Sequence, residues 1–280
     1  MTTRKHVRQH AGLLMHTKNR NRVAFIIVIL VLGMSASASA QNPPPQPPPP
    51  TPAHTGWASL VKDTAHDFVA FPTRKSTWAI LSIGAAAALA VHPADDYVEE
   101  HIVGNEAADD FFALGRWIGS SQVQVGSAVG LWVVGRYIMP PGPDGSRTNK
   151  VSHLGFDLLR AHMVSQAMVV GLKQSVRRDR PTGECCAFPS GHAAAAFAAA
   201  SVLERHFGYR ASWPMFIGAT YVATSRLVDN RHFLSDVVFG AAIGQAAGWT
   251  VVGRHGRDQY AMMPVPVRGG MMISISRVAN

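Results

Sequence analysis

Residues 189–207 read PSGHAAAAFAAASVLERHF, a short turn that leads into an alanine-rich run. Alanine has the highest helix propensity of all residues, so this run predicts a helix that begins near Gly191. Its apolar part is only about a dozen residues long before Glu204 and Arg205, whereas a transmembrane helix needs about 20. A helix of this length is typical of the core of a helical bundle.

Apolar residues recur at helical spacing on both sides of this run, and Pro and Gly clusters separate several of the stretches. The sequence therefore predicts an all-α fold, a helical bundle of about six core helices. A short C-terminal β-hairpin is also predicted, with its turn at residues 268–270. The other predicted helical stretches are residues 56–70, 76–92, 108–139, 152–175, 213–227 and 233–253.

The membrane question stays open from the sequence. Residues 76–92 are apolar but short for a membrane span, and residues 152–175 include Asp157, Arg160 and His162. Both observations favour a globular bundle. Faces rich in alanine and glycine also suit close packing inside lipid, and the amphipathic stretch 56–70 could lie on a membrane surface.

The N-terminal part has the layout of a targeting segment. Six basic residues lie within the first 22 positions, an apolar run covers residues 23–33, and small residues follow up to Ala40. We therefore predict a signal peptide, or a signal anchor, at residues 1–40, a proline-rich linker at 41–53 and a folded domain at 54–280. The domain would lie in the periplasm or cell envelope, either free or associated with the membrane.

Charge and cysteine content narrow the function classes. The net charge is +9, and removing the six basic residues of the leader leaves +3, which argues against a nucleic-acid partner. The two cysteines, Cys185 and Cys186, are adjacent, and neighbours rarely meet disulfide geometry without strain, so the chain is not a disulfide scaffold. In the absence of a Cys-x-x-Cys pattern, we expect neither a metal nor another cofactor.

Three short segments stand out, which read KQSVRRDRP at 173–181, PSGH at 189–192 and SRLVDNRHFLSD at 225–236. Cationic side chains lie in the first and the third. Lys173, Arg180 and Arg226 lie near or within apolar helices. Because a buried unpaired charge is costly, their convergence would make sense around a bound anion. The arginine fork matches phosphate oxygens, and lysine supplies a mobile point charge.

Further groups suit phosphate chemistry. The predicted helix that begins at Ser190 and Gly191 would present free N–H groups and a helix dipole to an anion. His232 and Asp236 are four residues apart and would share one face of a helix, so that the carboxylate orients the imidazole as a nucleophile. His192, from another helix, could protonate the leaving group.

The three segments resemble the signature of the type 2 phosphatidic acid phosphatase and vanadium haloperoxidase superfamily, K-x6-R-P, P-S-G-H and S-R-x5-H-x3-D, at every fixed position. The resemblance implies a helical bundle with one metal-independent active site. It also implies the residue roles. The phosphate-binding residues would be Lys173, Arg180, Ser190, Gly191 and Arg226, and the catalytic residues would be the nucleophile His232, the acid–base His192 and the orienting Asp236.

The substrate class stays open at this stage. Only seven residues separate the first two segments, and together with the exported start this leans toward the soluble, secreted acid phosphatases of the superfamily. A lipid phosphate, an isoprenoid diphosphate and a soluble monoester all remain candidates. The alternatives are a vanadate-dependent haloperoxidase and a catalytically dead envelope scaffold. Arg177 and Arg178 could simply belong to a solvated face.

Overall fold

The computed structural model describes residues 54–142 and 145–253, together with the backbone of two strands at 259–267 and 270–278. The predicted signal peptide at 1–40 and the predicted linker at 41–53 lie outside the described residues. The domain boundaries therefore stay predictions.

The described core is helical, which confirms the predicted all-α fold. Helix α7 begins at Gly191, as the alanine-rich run predicts. The helices are α1 (Trp57–Thr73), α2 (Lys75–Val91), α3 (Asp95–Ile102), α4 (Glu106–Ile118), α5 (Ser121–Val133), α6 (Lys150–Val176), α7 (Gly191–Phe207), α8 (Tyr209–Val228) and α9 (Leu234–Val251).

The predicted single helical stretch at 108–139 is wrong, because the chain breaks at Gly119 and Ser120. Helix α4 ends before this pair, and α5 begins after it with Ser120 as N-cap, whose side chain accepts a hydrogen bond from the N–H of Val123 at 3.4 Å. Serine is a preferred N-cap residue, so the break has a local cause. The sequence analysis also missed the short helix α3.

Helices α7 and α9 lie in close contact because glycines recur every fourth residue on the facing side of α9. A Cβ atom at Gly240 would lie 2.5 Å from the carbonyl oxygen of Ser190, and one at Gly244 would lie 2.1 Å from that of Ala194. Only glycine permits such an approach. The contact places the first turn of α7 beside the first turn of α9, where the motif segments 189–192 and 225–236 lie.

One helical run among the described residues, Lys75–Ile102, is long and apolar enough to cross a membrane. The sequence analysis judged residues 76–92 too short, but α2 continues through a 3-10 turn at His92–Ala94 into α3 and reaches 28 residues. Only 22% of the most apolar 18-residue stretch of this run is buried. Most of this apolar surface therefore faces away from the protein core.

Other large apolar side chains are exposed on several helices. They include Trp57, Trp78, Leu89, Phe111, Trp117, Trp213 and Ile217. Exposed apolar patches on this scale mark contact with another protein or with a membrane.

At the C-terminal end, Gln259–Val267 and Gly270–Val278 form two antiparallel strands, in which Gln259 pairs with Val278 and Val267 with Gly270. Their position is where the sequence predicts a hairpin.

Candidate active site

The first turn of α7 brings the second motif segment, at 189–192, against the third, at 225–236. Ser190 is the N-cap, and its side chain accepts a hydrogen bond from the N–H of Ala193 at 3.5 Å. The N–H of Ser190 donates to the backbone oxygen of Asp236 at 3.0 Å, and the side chain of Gln166 donates to the backbone oxygen of Gly191 at 3.0 Å. The turn is therefore held from two sides.

His232 lies in the loop that precedes α9 and is 7% exposed. The expectation that His232 and Asp236 share a helix face is wrong, because α9 begins at Leu234 and His232 precedes it. The two residues still meet: Oδ2 of Asp236 accepts the N–H of Phe233 at 2.9 Å and lies 3.8 Å from Nδ1 of His232. That ring nitrogen is buried and has no hydrogen-bond partner within the described chain.

Arg178 is part of the site, which corrects the interpretation that it belongs to a solvated face. Its Nη1 donates to Oδ1 of Asp236 and to the hydroxyl of Ser235, both at 2.8 Å. Its Nη2 donates to Oδ2 of Asp95 at 2.9 Å, and the guanidinium stacks over the ring of Phe233. Asp95 in turn accepts hydrogen bonds from the N–H and hydroxyl of Ser235 at 2.9 and 2.6 Å.

Asp95 was not predicted as a site residue from the sequence. It lies near the start of α3, 141 positions before Asp236 in the chain, and no motif marks it. Arg178 did carry a signal, since it lies inside the first cationic segment. Together the two residues fix the start of α9, and with it the carboxylate beside His232.

Arg226 and Arg180 each have a buried guanidinium nitrogen without a partner among the described residues. Nη1 of Arg226 donates to Oδ2 of Asp229 at 2.6 Å, and Nη1 of Arg180 makes a long contact of 3.4 Å with Glu184. The Nε atoms of both arginines are buried, and their N–H groups donate to no acceptor among the described residues. Two N–H donors are thus left for a ligand.

A cavity of about 500 Å³ opens beside Arg226. In its wall, Asp229 bridges two cations, because Oδ1 lies 2.5 Å from Nη1 of Arg116 and Oδ2 lies 2.6 Å from Nη1 of Arg226. The cavity is lined by Val103, Asp109, Arg116, Arg226, Val228, Asp229, Asn230 and Arg231.

Lys173 is turned toward the loop that leads to α7. Its Nζ donates to the backbone oxygens of Cys186 and Ala187 at 2.5 and 3.2 Å. Burial, followed by the nearby charge of Arg180, lowers the pKa of Lys173 to about 8, against an opposite effect of Asp236. Lys173 therefore both holds this loop and adds positive charge to the site.

Cys185 and Cys186 are joined by a disulfide in that loop. The sequence analysis expected adjacent cysteines to bond rarely, so this pairing was not anticipated. The bond links neighbours only and ties no distant segments together.

Four of the predicted site residues act electrostatically on His192. Burial, and after it the charges of Arg226, His232, Lys173 and Arg180, lower the pKa of His192 to about 4. Each of these groups must be close to act on the imidazole. Burial is also the main cause that lowers the pKa of His232, which favours a neutral ring with a free lone pair.

Comparison with known proteins supports the same region. The model of the PAP2 superfamily matches residues 182–260. A lipid A 1-phosphatase of Porphyromonas gingivalis is 42% identical over 85 residues, which cover 29% of this chain and 19% of the relative. A lipid A 4'-phosphatase of Helicobacter pylori is 26% identical over 114 residues, or 36% of this chain and 58% of the relative.

A solved structure shares the fold. The crystal structure of a transmembrane PAP2-type phosphatidylglycerolphosphate phosphatase from Bacillus subtilis superposes with a TM-score of 0.50 at 20% identity, covering 64% of this chain and 93% of that protein. The chain spans less than two thirds of the length of the curated relatives. These findings confirm the resemblance to the superfamily that the three motifs indicate.

Proposed function

We propose that this chain is a phosphoric ester hydrolase that removes phosphate from a lipid, without a catalytic metal and through a phosphohistidine on His232. The observation that carries the proposal is the pair of buried Nε donors on Arg180 and Arg226, which have no partner among the described residues. A buried N–H group without an acceptor is costly, and a phosphate supplies the missing acceptors.

The electrostatics of the site suit phosphoryl transfer. Four groups that can carry positive charge act on His192, and the first turn of α7 adds its free N–H groups. Most of the work in phosphoryl transfer is positioning and stabilising charge on the three equatorial oxygens. A cluster of fixed cations performs this work without a metal ion.

His232 is the proposed nucleophile. Its Nδ1 faces Oδ2 of Asp236 at 3.8 Å, which leaves Nε2 for in-line attack on phosphorus. The P–O bond to the leaving alcohol breaks as the N–P bond forms. Asp236 stabilises the cationic ring that results, and Arg178 holds Asp236 in place from its other oxygen. Catalytic contacts of this kind often tighten only when substrate binds.

His192 is the proposed acid and base. It would give a proton to the leaving oxygen and then take one from the water that hydrolyses the phosphohistidine. The free imidazole is neutral at neutral pH, since its pKa is about 4. A bound phosphate dianion offsets the surrounding positive charge and raises this pKa, so the substrate itself promotes protonation of its general acid.

Lipid phosphates are the substrate class that we favour. The relatives from P. gingivalis and H. pylori are lipid A phosphatases, and exposed side chains such as Trp78, Leu89 and Trp117 supply an apolar surface for membrane association. This proposal replaces the sequence-based expectation that the chain is similar to the soluble acid phosphatases. The basic and apolar N-terminal residues support action outside the cytoplasm.

The test uses the full chain in mixed micelles with three substrates: a lipid phosphate such as phosphatidic acid, an isoprenoid diphosphate, and p-nitrophenyl phosphate as a soluble monoester. We expect phosphate release to be fastest from a lipid phosphate and to persist in EDTA. Rapid quenching with labelled substrate should trap an acid-labile phosphoenzyme. Activity that vanished in EDTA and returned with Mg²⁺ would refute the metal-free mechanism.

The matched variants are His232→Ala and His101→Ala. His232→Ala should lose turnover and the phosphoenzyme while it keeps its helical circular dichroism. His101 lies on the exposed face of α3, so its replacement should leave turnover unchanged. Near-normal turnover in His232→Ala would end the proposal.

A further inference from the structure

A second cluster of ionisable side chains lies away from the candidate active site. Asp157, on α6, is buried between two histidines: its Oδ2 lies 3.1 Å from Nε2 of His153 and 2.9 Å from Nε2 of His206. His153 is one turn earlier on α6, whereas His206 lies near the end of α7. The rings of the two histidines meet edge to face at 4.8 Å between centroids.

The two oxygens of Asp157 have separate partners. Oδ1 accepts a hydrogen bond from Nη1 of Arg160 at 3.1 Å, and both histidines face Oδ2. Arg160 is paired in turn with Asp67 on α1, through Nη2 at 2.6 Å and Nε at 2.8 Å. Oδ2 is thereby directed at the imidazoles by a buried ion pair that orients the carboxylate, as outer partners of metal ligands do.

We propose that Nε2 of His153, Nε2 of His206 and Oδ2 of Asp157 bind a divalent transition-metal ion such as Zn²⁺. The three ligand atoms lie within 4.8 Å of one another. Zinc–nitrogen and zinc–oxygen bonds of about 2.0–2.2 Å place tetrahedral ligand atoms roughly 3.3–3.5 Å apart, so small side-chain shifts complete the site. Two imidazoles and a carboxylate are ligands that zinc commonly takes, and water can fill the fourth position.

This site is not part of the proposed phosphatase chemistry. His206 and His192 lie on the same helix, 14 residues apart in the sequence, so the rise of an α-helix puts them about 21 Å apart along its axis. The metal would instead link α6 to α7 and, through Arg160 and Asp67, to α1. No metal was expected from the sequence, which has no Cys-x-x-Cys pattern. His153 and Asp157 lie on one helix, but the third ligand comes from another helix.

Equilibrium metal binding and thermal unfolding test the site directly. The purified full chain is stripped with EDTA, dialysed, and titrated with Zn²⁺ alone and then with Co²⁺, whose visible absorption reports tetrahedral geometry. We expect one zinc ion per chain. At about 100 times the dissociation constant, the unfolding midpoint should rise by roughly 5–10 °C.

His206→Gln and His153→Gln are the test variants, and His162→Gln is the matched control. His162 is a buried histidine of the same helix outside the cluster, and its Nδ1 has no partner in the described chain. We expect the two test variants to bind zinc at least 10-fold more weakly and to lose the thermal shift, while the control keeps both. Absence of zinc binding in the parent chain, or equal binding by all variants, would overturn the proposal.

The readout is independent of the phosphatase assay. EDTA should lower the midpoint of thermal unfolding. At assay temperatures below that midpoint, it should leave turnover unchanged. A loss of turnover without a thermal shift would contradict a structural metal, whereas a failed phosphatase assay would leave the zinc titration unaffected.

Discussion

Arg178 donates a hydrogen bond from Nη1 to Oδ1 of Asp236 at 2.8 Å. The other oxygen of this carboxylate lies 3.8 Å from Nδ1 of His232. Arg178 is itself anchored by Asp95 at 2.9 Å. A chain of charged side chains therefore leads from Asp95 on α3 through Arg178 and Asp236 to the proposed nucleophile. This arrangement indicates that Arg178 positions Asp236.

Arg178→Gln should lower kcat by roughly 10-fold to 100-fold and change KM little, because it releases Asp236 without removing a phosphate contact. The alkaline and acid limbs of the pH–rate profile should also shift, since the imidazole of His232 loses part of its electrostatic support. Steady-state kinetics between pH 4 and 9 measure both effects, and Arg178→Lys should restore part of the rate.

The neighbouring arginine supplies the control. Arg177 ends α6 in a left-handed conformation and is exposed, so Arg177→Gln should keep the parent kinetics and pH profile. If both variants behaved alike, the effect would reflect the loss of a general positive charge, and the positioning role of Arg178 would be wrong.

The contrast between these two arginines shows what the sequence could predict. The spacing of the motif residues predicts which short segments meet, because helix starts and loops of set length bring these segments together. The spacing does not predict which side of a segment faces inward, so Arg178 was interpreted as a surface residue. Asp95 could not be predicted for the same reason: its partners Arg178 and Ser235 lie 83 and 140 positions away, and only tertiary packing brings them together.

The bounds of the helices were likewise predictable only where the signal in the sequence is local. Alanine propensity and a serine N-cap are local signals, so the start of α7 at Gly191 was predictable. The break at Gly119 and Ser120 also had a local signal, but the apolar pattern on both sides hid it. The extension of α2 toward Ile102 depends on a 3-10 turn through Pro93, where a proline would ordinarily predict the end of a helix.

His192→Ala should slow hydrolysis of alkyl phosphates by roughly 10²–10⁴-fold, as expected for loss of a general acid. The effect on p-nitrophenyl phosphate should be much smaller, since a good leaving group needs no proton. Measuring kcat for both esters with the parent and the variant isolates this role. Equal losses for the two esters would show that His192 does something other than protonate the leaving oxygen.

The pKa of His192 should rise when an anion occupies the site. Burial and then the charge of Arg226 hold this pKa at about 4 in the free protein, and vanadate would neutralise part of that charge. The protonated form gains stability as the pKa rises, so it should persist to higher pH. NMR titration of labelled histidine with and without vanadate measures the shift, which should exceed one pH unit; an unchanged pKa would mean that vanadate binds elsewhere.

Gly244→Ala should destabilise the fold by about 1–3 kcal/mol, because the added methyl overpacks a tight helix contact. Its Cβ would lie 2.1 Å from the backbone oxygen of Ala194, which cannot rotate away. Gly171→Ala is the matched control, since a Cβ there meets no atom within 4 Å, and it should be neutral or stabilising by about 0.5–1 kcal/mol. Thermal unfolding compares the two, and similar midpoints would contradict the close approach of α7 and α9.

Asp236→Asn should lower kcat by roughly 10²–10³-fold and leave KM nearly unchanged, because the amide keeps the shape of the side chain but supports the cationic imidazole of His232 less well. Arg226→Ala should raise KM as well as lower kcat, since its charge acts on phosphate in both the ground state and the transition state. Both variants are to be measured on one lipid phosphate. The two variants should differ because the two side chains lie in different places. Asp236 lies behind the nucleophile, 3.8 Å from Nδ1 of His232. The buried Nε of Arg226 has no partner among the described residues and can donate to a ligand. The reverse pattern, with weakened binding in Asp236→Asn alone, would require the two roles to be abandoned.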